Sequence, residues 1–105
     1  MNDRTEFLKD IRITAFGGGI NYWAYIRDNK IMEYDDEGPI GDWIKITRDM
    51  IEKGIALVKE PSFKVRDDIL AAILLGDRDS DASYIDIECA DVIVQAAVFG
   101  EIAYG

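Results

Sequence analysis

The sequence predicts an α+β domain: a small antiparallel three-stranded sheet over about residues 20–46, packed with an N-terminal helix and three C-terminal helices. Two patterns predict it. The hydrophobic period changes from helical to alternating and back again, and glycine, proline or Asp-Asn pairs punctuate each change. Length adds the third observation, since 105 residues suit one domain, residues 1–105, around one core.

Taken in order, residues 4–16 place Phe7, Leu8, Ile11 and Ala15 at helical spacing, and Gly17-Gly18-Gly19 follows as a stop. Residues 20–27 are aromatic and β-branched, Asp28-Asn29-Lys30 offers a turn, and residues 31–34 return as a second strand. After the polar loop 35–39, the alternation of residues 42–46 completes the sheet. Thr47 reads as an N-cap for a helix with Met50, Ile51, Ile55 and Val58 on one face, and Pro61 lies beyond its end. A further helix is expected over 65–75, stopped by Gly76, and a last one over 88–99, stopped by Gly100; residues 77–87 form a loop between them. Residues 102–104 make a short extended tail.

The composition, 49% hydrophobic, supplies enough apolar surface to offset chain entropy, so a folded domain is expected. No apolar run approaches the length of a membrane span, and Met1, Asn2, Asp3 and Arg4 do not open a signal peptide. A cytoplasmic setting is the resulting expectation, with no membrane partner. With no histidine and one cysteine, Cys89, the chain holds neither a Ser/His/Asp nor a Cys/His catalytic constellation, and a non-enzymatic role is expected. Twenty-one acids against twelve bases give a net charge of −9. Residues 61–105 carry nine acids and only three bases, so the excess grows toward the C-terminus. Such a field disfavours direct nucleic-acid binding and favours a protein partner with a basic surface.

The sharpest local pattern is residues 77–88, in which Asp77, Asp79, Asp81 and Glu88 occupy positions 1, 3, 5 and 12 of an EF-hand calcium loop. Ala82 replaces the glycine of position 6, and Tyr84 stands where a small aliphatic residue is usual. Calcium is therefore one reading and no cofactor the other: Ser83 or Asp86 caps the last helix, and the remaining acids are solvated. The Gly17-Gly18-Gly19 run precedes a strand and matches no nucleotide fingerprint, yet Gly18, Gly19, Asn21, Tyr22 and Trp23 form a candidate small-molecule or nucleotide site. Strand alternation would turn Tyr22 and Ala24 to one face and Trp23 and Tyr25 to the other, one of them core and the other an aromatic interface. The adjacent acids Asp35/Asp36 and Asp67/Asp68 read as solvated pairs or as charges favourable at a helix start. Cys89, flanked by Glu88 and Asp91, reads as a quiet, partly buried thiol.

Residues 16–24, FGGGINYWA, and the ending 90–105, ADVIVQAAVFGEIAYG, resemble a group of small uncharacterised proteins from bacteriophages and mobile elements. Small acidic proteins of that origin include inhibitors of host defence complexes, such as CRISPR or restriction systems, that present carboxylates in place of DNA phosphates. The resemblance implies a bacterial host cell as the setting; taken with the net charge it gives the expectation of a DNA mimic, whose partner-binding acids would be Asp35, Asp36, Glu37, Asp77, Asp79, Asp81, Asp86 and Asp91. An outward apolar stripe on the sheet or the last helix would instead serve a homo-oligomer.

Overall fold

The computed structural model describes residues 3–105; the opening pair Met1 and Asn2, part of the signal-peptide reading, lies outside them. Four helices, α1 (Arg4–Thr14), α2 (Arg48–Val58), α3 (Asp67–Asp79) and α4 (Ile87–Phe99), surround one core, and three strands, β1 (Ala24–Arg27), β2 (Lys30–Asp35) and β3 (Gly38–Lys45), form an antiparallel sheet in the order β1-β2-β3. The α+β class and its helix and strand count are as the sequence predicts.

Local chemistry explains most boundaries. Asp3 caps α1 by accepting from Thr5 N, Thr47 caps α2 by accepting from Met50 N, and Asp86 caps α4 by accepting from Cys89 N at 2.8 Å. Gly100, at φ 75°, ends α4 in the left-handed conformation that glycine adopts without a Cβ penalty.

Three boundaries differ from the sequence reading. α1 gives way at Ala15 to one wide π-type turn running through Gly19, and Ile20–Trp23 continue as a turn, so β1 begins only at Ala24. α3 starts two residues later and runs three residues past the predicted stop: Gly76 lies inside it, and Ser80, at φ 49°, is the left-handed cap. Gly76 is needed for packing, because a Cβ there would lie 2.8 Å from the Ile85 side chain. β3 also begins earlier than Asp42, at Gly38, which turns at φ 115°.

The core is built by Phe7, Leu8 and Ile11 of α1, Ile51, Ile55 and Val58 of α2, Ile69 and Ile73 of α3, and the apolar residues of α4. α4 is buried on nearly every side, the expected fate of a helix that is apolar all round. It crosses α2 so closely that a Cβ on Gly54 would stand 2.3 Å from the Ile93 carbonyl oxygen. The sheet joins this body at its base, through Ala24, Ile31 and the adjoining Trp23 and Ile46. Farther out it stands free: residues 39–42 of β3 are all exposed, and the molecule measures 43 × 28 × 20 Å. Between Ile31↔Ile44 and Glu33↔Ile40 the register shifts, with Gly41 at φ 74° absorbing the extra β3 residues. No described helix is long and apolar enough to cross a membrane.

Candidate functional site

The acids proposed from sequence do not form one surface. Asp77 is the hub of a clamp: Arg4 reaches it at 2.6 Å and Lys59 at 2.9 Å, while the same Arg4 guanidinium holds both oxygens of Glu52. Burial raises the Asp77 carboxyl pKa, and hydrogen bonds from Lys59 and Arg4 outweigh burial, leaving it below its ordinary value. Asp79 pairs with Arg78, Asp81 accepts from Ser83 N at the start of a short 3-10 turn (Ala82–Tyr84), and Asp86 is the α4 cap. Glu88 pairs with Arg66, which also holds Asp68.

This arrangement corrects the calcium-loop geometry expected for residues 77–88. Asp77 and Asp79 belong to the last turn of α3, so the stretch is not a twelve-residue loop, and its carboxylates turn to separate cationic or backbone donors. Among the described residues no group of three or more acids or cysteines is placed to hold a metal ion.

Asp91 is corrected as well. It is a buried residue of α4, where Oδ1 accepts from Trp23 Nε1 at 2.8 Å and from Gln95 Nε2 at 2.9 Å, and Oδ2 accepts from the Tyr22 hydroxyl at 2.5 Å. Gln95, wholly buried one turn along, completes the network. Its Oε1 accepts the backbone N–H groups of Ala103 and Tyr104, and its amide also donates to the Tyr104 carbonyl at 3.1 Å. The tail is thereby fastened onto α4. Tyr104 stacks on Trp23 at 5.6 Å, and its hydroxyl donates to Glu33, which raises the Tyr104 pKa to about 12.

The small-molecule reading of Gly18, Gly19, Asn21, Tyr22 and Trp23 loses its platform for the same reason. Trp23 is 0% exposed and stacks only on protein rings, Gly19 abuts the Ile87 carbonyl, and Asn21 offers its backbone oxygen to Tyr34. Gly18 lies beside Ile87. A shallow cleft of about 190 Å³ remains beside Tyr22, Arg66, Glu88 and Tyr104. Burial and the hydrogen bond to Asp91 push the Tyr22 hydroxyl well above its ordinary pKa, so it acts as a donor there. Every buried side-chain polar atom described has a partner, the signature of a structural lock.

Cys89 is buried, and burial first, then Asp86, raises its thiol to about 12, which makes it a poor nucleophile. Gln95 and Arg4 went unrecognised in the sequence. Asp91 and Gln95, spaced i, i+4 in the otherwise apolar stretch 90–99, are the available signal for an inward polar pair; Arg4 carries none.

The remaining acids, Asp35, Asp36 and Glu37, are different. They sit at the β2–β3 turn, exposed, and none makes an ion pair among the described residues; Asp35 accepts only from Glu37 N. Next to them the outer sheet face carries Tyr25 and Tyr34, stacked at 4.4 Å with Tyr25 46% exposed, and Arg27 over Trp43 at 4.9 Å. The predicted alternation fails at Trp23 and Ala24, which are both buried because the chain is still turning at Trp23; from Ala24 onward it holds. The aromatic set therefore divides, with Trp23 in the core and Tyr25, Tyr34 and Trp43 on the outer face.

No family model matches the chain, and neither a curated protein nor a solved structure matches it.

Proposed function

We propose that the protein works by binding a basic surface of a protein partner, with the β2–β3 hairpin as its docking arm. The observation that carries this reading is the pairing of features at that arm: three exposed carboxylates without ion pairs among the described residues at its tip and, beside them on the outer sheet face, the exposed Tyr25 of β1 stacked on the half-buried Tyr34 of β2. Carboxylates not already held by an internal cation are available to one on a partner, and aromatic side chains supply contact area at low entropic cost. The acids of α3 and α4 contribute only to the general field, since Asp77, Asp79 and Asp91 are already engaged inside the molecule.

A nucleic-acid-handling host complex is the partner class that suits the arm. Its phosphate-binding groove is basic, and carboxylates carried on a projecting ribbon occupy such a groove as phosphates would. The net charge of −9 steers the encounter and makes the association salt-dependent.

The test is capture from a bacterial lysate with the tagged chain and with a D35N/D36N/E37Q variant, each at low and raised salt. A basic nucleic-acid-binding protein retained by the native chain at low salt, released at raised salt and absent from the variant supports the reading. Equal retention by both chains contradicts it.

A further inference from the structure

The cations of this acidic protein are not scattered evenly. Arg4, Lys59, Arg66 and Arg78 are each ion-paired. Of the eight cations that make no ion pair among the described residues, Lys9, Arg12, Lys45 and Arg48 line a single open cleft of about 380 Å³, and Arg27, Lys30, Lys53 and Lys64 lie outside its lining. Three elements build it. α1 contributes Lys9 and Arg12 together with Thr5, residues spaced to share one helix face; β3 ends in Lys45; and α2 begins at Arg48. Asn29, in the β1–β2 turn, closes one side.

Gathering like charges costs free energy, and the sheet adds to that cost, because Lys30 stands directly opposite Lys45 in the β2–β3 ladder. The ion pairs described among the acids go to Arg4, Lys59, Arg66 and Arg78 instead. Arg12 is moreover held in position: its Nη1 donates to the Ile46 carbonyl at 3.1 Å, which anchors the guanidinium at the β3–α2 junction and leaves its other N–H groups for a ligand. The α2 N-terminus is a minor contributor, since Thr47 already caps Met50 N.

From these observations we infer that the cleft is a binding site for a compact, multiply charged phosphate. Four cations match two or more negative charges on one small ligand, and the Thr5 hydroxyl and Asn29 amide supply neutral hydrogen bonds for phosphate or sugar oxygens. No aromatic ring lines the cleft to stack a base, which favours pyrophosphate or a sugar phosphate over a nucleobase-bearing strand. The site is independent of the acidic arm and stands or falls without it.

The test uses the full chain, with pyrophosphate and ribose 5-phosphate as probes and sodium chloride at matched ionic strength as the control. Thermal melting and backbone amide shifts are read together. Pyrophosphate at tenfold excess over its Kd is expected to raise Tm by roughly 5 °C. The amides of Thr5, Asn29 and Arg48 are expected to move, and K45A/R48A to weaken binding at least roughly tenfold. These two residues are exposed, and the amide spectrum of the variant reports whether its fold is intact. Stronger binding of ribose 5-phosphate would assign the site to phosphorylated sugars, and stronger binding of pyrophosphate to the free anion. A melting shift no larger than with chloride overturns the inference, as do amide changes confined elsewhere or a short oligonucleotide binding more tightly than either probe.

Discussion

Gln95 is the residue on which the C-terminal tail depends. Gln95→Ala removes the acceptor for the part-buried Ala103 and Tyr104 N–H groups and one donor to the buried Asp91, and leaves a void where a wholly buried side chain stood. Urea denaturation is expected to show a loss of about 2–4 kcal/mol, with the tail amides exchanging faster. Gly54→Ala tests packing at the same scale: its Cβ would overlap the Ile93 carbonyl, a backbone atom that cannot turn aside, and a cost of about 1–3 kcal/mol is expected. Cys89, with its thiol raised to about 12, is expected to resist alkylation near neutral pH in the folded chain and to react once unfolded. That quiet thiol was legible from sequence, as were the caps at Thr47 and Asp86, because Ser, Thr and Asp announce themselves by residue type at a helix start. Gln95 was not legible as a lock, because its role depends on a tail brought back by the fold.

Among the elements, the helices were easier to read than the sheet. α2 and α4 declare themselves by period and by their stops, whereas the start of β1 depends on a turn through Ile20–Trp23 that an aromatic, β-branched run disguises as strand. The end of α3 is disguised for a related reason: Gly76 looks like a stop, but its missing Cβ serves contact with Ile85. Extending α3 to Asp79 brings Asp77 within reach of Arg4 and Lys59, so one boundary converts a supposed calcium ligand into the clamp joining α1, α2 and α3. The clamp has a pH signature. The folded Asp77 carboxyl lies below its ordinary value, so its contribution is complete above the unfolded pKa of about 3.9 and is lost as pH falls through the depressed folded value. The stability advantage of the native chain over Asp77→Asn is therefore expected to shrink in urea midpoints measured from about pH 6 down to about pH 3.

At the scale of the whole molecule, the helical body is, on the proposed reading, the scaffold, and the hairpin is the part that meets a protein partner. Composition made the acidity plain but not its distribution: sequence position concentrates negative charge in residues 61–105, while ion pairing neutralises Asp77, Asp79 and Glu88 and burial removes Asp91 from the surface. Of the eight acids singled out for a partner, Asp35, Asp36, Glu37 and Asp86 are exposed and make no ion pair among the described residues, and Asp86 is committed as the α4 cap, which leaves the three of the arm. The most direct measurement is amide hydrogen exchange of the protein alone and in complex with its captured partner. Protection on binding that is concentrated over residues 34–43, with the α3–α4 surface unchanged, is the predicted result. Protection centred on α3 or α4, with the hairpin exchanging as in the free chain, would contradict the account.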